Sequence, residues 1–163
     1  TMATSNAATT YLENKLLNHL FKNTAFTTPG NSIYVGLATA VGNFNDSTGE
    51  TSAFAEITEA DFTNYQRVQV QASAWDVTSA STDTQTATNN AVIDFAASGG
   101  GGTDVITHVF IADGNGTLHQ DHISGSGSGT VRVLFIGALD ASKSIATGDI
   151  FRINATNLTI GLK

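Results

Sequence analysis

The sequence predicts a mainly β protein, an antiparallel β-sandwich with one N-terminal amphipathic helix, and three observations carry that prediction. Residues 105–112 and 130–139 place large apolar side chains on both alternating faces, the pattern of strands buried in the middle of a sheet. Around them lie short alternating segments separated by clusters of Gly, Asn, Ser and Thr, which suit turns, while Thr also suits strands. One stretch, Thr10–Lys22, repeats Leu12, Leu16, Leu17, Leu20 and Phe21 at helical spacing. Many short strands and a single helix fit a sandwich with the helix packed on one edge or end.

Taken in order, residues 1–9 are small, polar and without period, and read as a flexible arm of the kind that laces onto neighbours in assemblies. Residues 10–163 read as one sandwich domain, a length sufficient for a single core. In the helix, Thr10 and Glu13 fit a capping box, and Lys22 sits at the negative end of the helix dipole. Its apolar stripe is expected in the core, so Leu16→Ala is expected to cost roughly 2–5 kcal/mol. A turn-rich connection containing Pro29-Gly30 leads to residues 32–38, where Ile33, Val35 and Leu37 share one face. Residues 39–64 lose the pattern and read as long acidic loops carrying Asp46, Glu50, Glu56, Glu59 and Asp61. A strand over residues 65–75 turns Val68, Val70, Ala72 and Ala74 inward and Arg67, Gln69 and Gln71 outward. Residues 76–90 are rich in Thr and Ser, residues 91–95 form a short strand with Ile93 and Phe95 inward, and the four consecutive glycines 99–102 mark a loose connection. The central pair 105–112 and 130–139 reads as a long hairpin, a turn-rich link covers 140–149, and residues 150–153 and 158–162 close the sheet.

Composition narrows the function. Charged residues are 13% of the 163, about half the usual share, and a surface poor in Lys and Glu loses less when buried against a partner. The net charge is −7 and the seven basic residues are scattered, which argues against a nucleic-acid groove. There is no Cys for disulfides or thiolate metal sites, and no apolar run approaches the length of a membrane span. The first residues lack the basic start and apolar core of a secretory signal. Thr1 ahead of Met2 reads equally as a processed start, which would make this a mature chain made in the cytoplasm, or as a residue added during cloning.

The candidate sites are weaker than their plain alternatives. His119, Asp121 and His122, with Asp113 nearby, supply imidazole and carboxylate ligands but too few convergent ones for structural zinc, so a solvated loop is expected. Asp113-Gly114-Asn115-Gly116 resembles the start of a calcium loop without the later Glu and reads as a turn. His108 belongs to a strand face with Ile106 and Phe110 and reads as a core or subunit-contact residue. Ser126 and Ser128 sit in Gly-Ser repeats, not at a nucleophile elbow, and the acidic loop offers no fixed carboxylate pair. Trp75 and Tyr65 on the polar face of their strand form either a sugar platform or, as expected, a cap on the sheet edge. No catalytic, cofactor or metal residue is assigned.

Residues 11–20, 33–37, 65–67, 89–91 and 106–111 resemble, in order and spacing, pieces of a family of small tailed-bacteriophage virion proteins described as tail-fibre-like or head-decoration proteins. Residues 137–139, 142–145, 148–151 and 158–160 extend the resemblance to the end of the chain. Two stretches depart from it, residues 118–129 and the acidic loop between 40 and 64. The resemblance implies a non-enzymatic virion structural protein without cofactor. The expected role is a capsid decoration or cement protein on the head surface, bridging subunits such as the major capsid protein. The alternative is a tail-fibre or tail-tip protein that binds a host surface glycan. Either role implies a homo-oligomer, a trimer being expected, with no nucleic-acid or membrane partner.

Overall fold

The computed structural model describes residues 6–26, 33–41, 57–79, 85–101, 104–118 and 131–162. The protein is mainly β, with antiparallel sheets and one helix near its N-terminus. The main sheet runs β1 (Asn6–Ala8), β9 (Val133–Ile145), β8 (Asp104–Ala112), β2 (Ile33–Ala40), β3 (Thr58–Glu59), with β4 (Val68–Val70) also paired to β2. The doubly apolar runs of the sequence thus form neighbouring interior strands: Val109 pairs with Gly137, and Ile111 with Phe135. A second sheet is β5 (Trp75–Ser79), β6 (Gln85–Asn89) and β11 (Thr159–Leu162), and a third joins β7 (Ile93–Asp94) to β10 (Arg152–Ile153).

Alternation along β2 and β8 explains the layering. Val35, Leu37, Ile106 and Val109 pack with Ile93, Phe95, Phe151 and Ile153 of the small strands, giving the larger core. Phe95 and Phe151 meet edge to face at 5.8 Å, the arrangement ring quadrupoles favour. The opposite face buries Ala38, Phe110, Ala112, Val133 and Ile136. Gly36 is required here, because a Cβ at that position would lie 2.2 Å from Phe110 Cζ.

Several expectations shift. Asn6–Ala8, assigned to a flexible arm, pair in register with Phe135, Ile136 and Gly137 as β1, while residues 1–5 lie outside the described residues. The helix α1 (Thr10–Lys22) is capped by Thr9, not Thr10: the Thr9 hydroxyl accepts from the Leu12 amide at 3.3 Å and donates to the Val133 carbonyl at 2.7 Å. Tertiary contact therefore selects the cap over local spacing. The strand expected over 65–75 is interrupted by a 3-10 turn at Ala72–Ala74, after which β5 begins. The Thr-rich residues beyond it, given no element from the sequence, supply the paired strands β5 and β6, with Thr78 facing Thr86. The second central strand starts later than residue 130 and runs on to Ile145, through most of the expected 140–149 link.

Candidate functional site

Polar residues inside the fold come first, because they decide which sequence candidates are available for chemistry. Glu59 at the end of β3 forms a two-point ion pair with Arg67, Nε to Oε1 and Nη2 to Oε2 both at 2.8 Å. The Arg67 side chain is only 6% exposed, and its remaining donors reach the carbonyls of Gly116 at 2.7 Å and Gly114 at 3.3 Å. Its guanidinium also lies 5.7 Å from the Phe110 ring centroid. Four hydrogen bonds and the Phe110 ring thus stand in for water around the buried guanidinium. The turn at 113–116 is held by a guanidinium in the place where a calcium loop would direct carbonyls at a metal, and Asp113 Oδ1 accepts from the Arg132 amide at 2.7 Å. Burial raises the Asp113 pKa, partly offset by Arg132.

Tyr65 belongs to the same network. Its hydroxyl donates to Glu59 Oε1 at 2.8 Å and accepts from the Leu37 amide at 2.9 Å. Its ring stacks on Phe95 and meets Phe62 edge on. Burial first, then the Glu59 charge, push its pKa far above the usual phenol range, so it remains protonated. Trp75 packs against two of the hydrophobic cores, and its buried Nε1 finds no hydrogen-bond partner among the described residues. The two aromatics are thus packed residues: neither the polar-face placement nor the sugar platform holds for them, because Tyr65 is drawn in by Glu59, Leu37, Phe62 and Phe95 ahead of β4 and Trp75 follows the 3-10 turn that breaks the alternation.

His108 is half-buried, its Nδ1 2.8 Å from Thr107 Oγ1, and burial lowers its pKa so that the ring is neutral near pH 7. It is not a core residue, and the face expected to hold it with Ile106 and Phe110 is split, since a bulge between Ile106 and His108 sends Ile106 and Phe110 to different cores. His119, Asp121, His122, Ser126, Ser128, Asp46, Glu50 and Glu56 lie outside the described residues. Among the described residues no group of three or more His, Asp or Glu is placed to hold a metal ion.

Part of what remains open to solvent is apolar. The helix docks through its first turns, with Leu12 buried against Ile111 and Leu134, Tyr11 edge on to Phe26, and Arg132 over the Tyr11 ring at 5.2 Å. Beyond that anchor the stripe expected in the core faces water: Leu16 is 37% exposed, Leu17 57%, Leu20 71% and Phe21 80%. Leu16 is therefore not a core residue of the single chain. The cause is the anchoring at Thr9, Tyr11 and Leu12, which docks the edge of the stripe at Leu12 and turns Leu16, Leu17, Leu20 and Phe21 away from the sheet. Beside the helix start, a groove of about 700 Å³ lies between β9 and the segment carrying β10 and β11. Its walls include Val109, Ile111, Phe135, Leu158 and Ile160, with Glu13 and Asp140 among the polar lining residues.

Sequence reasoning missed three features: the Arg67 network, the groove, and Asn89. Asn89 is fully buried, donates to the Ala91 and Asn154 carbonyls at 2.8 and 2.9 Å, and accepts from the Leu158 amide at 2.8 Å. Its place in the 89–91 stretch of the family resemblance was the available signal. For Arg67, the outward position in an alternating strand pointed the wrong way.

The profile of the family described as podophage GP4 fiber I protein gp80 matches residues 7–161, nearly the whole chain. The chain belongs to this family, and with it to the fibre-type structural proteins of tailed-phage virions. No curated protein matches it.

Proposed function

We propose that the chain is a non-enzymatic structural subunit of a podophage tail fibre, working as a homotrimer joined to other tail components. The observation that carries this reading is the fibre-family match over residues 7–161. It favours the tail over the capsid-decoration role expected from the sequence, for which the family description offers no support. It is also in keeping with an interior whose charged and amide groups are tied to structural partners. Recognition of a host glycan through Trp75 and Tyr65 is not carried forward, since both side chains are packed into the fold. Immunogold labelling of intact particles tests the location: gold confined to tail fibres supports the proposal, and gold on the head overturns it. Light scattering of the purified chain tests the stoichiometry, with the mass of three copies expected and a monomer at all concentrations excluding it.

A further inference from the structure

Among the described residues, an apolar ridge on α1 and a groove of mixed lining are both left uncovered, and they complement each other. The exposed helix residues Leu16, Leu17, Leu20 and Phe21 form two adjacent i, i+4 rows, a raised ridge suited to insertion between other elements. Together they present apolar area on the order of several hundred Å², the size at which an exposed patch on a monomer ordinarily marks an interface. The groove between β9 and the β10–β11 segment has a mixed lining, with Phe135, Leu158 and Ile160 set among Glu13, Asp140 and Thr159. The ridge cannot enter its own groove, because Ala8 and Glu13 form part of the wall and Phe21 lies about 12 Å farther along the helix axis than Glu13.

We infer that the second half of α1 docks into the β9–β11 groove of another copy of the chain, head to tail. Charge selects this occupant. Thr10–Lys22 carries Lys15, Lys22 and Glu13, a net of +1, so the other residues of a chain of net charge −7 sum to −8. Within the groove Glu13 and Asp140 provide carboxylates, while its cation, Arg152, is engaged by Asp94 at 2.6 Å. An incoming helix end bearing Lys22 meets those carboxylates, and its Leu and Phe side chains pack on the apolar side chains set among the polar lining. The two surfaces differ, so the contact is heterologous, and with a threefold rotation between copies it closes into a trimeric ring. This inference rests on the reading of the chain as an assembling fibre subunit.

Because the chain has no cysteine, single Cys variants report contacts without background. Phe21→Cys and Thr159→Cys alter exposed positions on the ridge and in the groove lining. Oxidising a mixture of the two should give disulfide-linked species joining one variant to the other, several-fold more than either variant alone. Leu20→Lys with Phe21→Lys should reduce the assembly to monomers while leaving the β-sheet circular dichroism unchanged. Cross-linking confined to Phe21→Cys alone, or assembly unaltered by the lysine pair, overturns the inference. The fibre reading is judged separately by particle labelling, so tail labelling without the mixed cross-link would reject the docking surface and keep the function.

Discussion

The interior around Arg67 and the outer half of α1 reverse the usual disposition of side chains. The Arg67 side chain, a permanent cation, is 6% exposed, whereas Phe21 is 80% exposed. The difference lies in what each group has been given. Arg67 has a carboxylate, two carbonyls and an aromatic face, so water has been replaced donor by donor. Phe21 and Leu20 have nothing among the described residues to cover them. Burial in one chain follows partners, and hydrophobicity left without partners points to assembly.

Breaking the interior side of this comparison should have the largest effects. Arg67→Ala removes one member of a buried pair and strands Glu59, which should cost about 3–5 kcal/mol in denaturant unfolding. Asn89→Ala deprives two carbonyls and one amide of their partner, and at about 1–3 kcal/mol for a stranded buried group the loss should approach that of Arg67→Ala. Gly36→Ala forces a methyl into the Phe110 ring, and overpacking of this kind costs about 1–3 kcal/mol, visible as a lowered Tm. His108 has a folded pKa below its unfolded value, so the unfolded chain binds the extra proton. Its contribution is present above the unfolded pKa of about 6.5 and is lost as pH falls through the folded value; His108→Gln should flatten that part of the stability profile. At the small end, Leu20→Ser in dilute, dispersed protein should change stability by no more than about 0.5 kcal/mol, as for a surface site. Leu16→Ala should likewise fall well below the 2–5 kcal/mol expected of a core leucine.

The strands were legible where alternation and burial coincide. Residues 105–112 announced an interior strand because β8 has neighbours on both sides and cores on both faces. Ile93 and Phe95 were readable as inward for the same reason. The helix was legible as a helix, yet its buried face was not, since the docking orientation comes from Thr9 reaching the Val133 carbonyl, more than a hundred residues away in sequence. The polar face assigned to residues 65–75 failed because Arg67, Tyr65 and Trp75 each find distant packing or hydrogen-bond partners that alternation does not encode. The groove, too, is assembled from segments far apart in the chain, and no local pattern could announce it.

Hydrogen exchange across a concentration series tests most directly the claim that the outer half of α1 is covered only by another copy. The account predicts that amides of Leu16 to Phe21 gain protection as concentration rises, together with those of β11, while β8 and β2 stay equally protected throughout. Protection of the helix that is independent of concentration would contradict it.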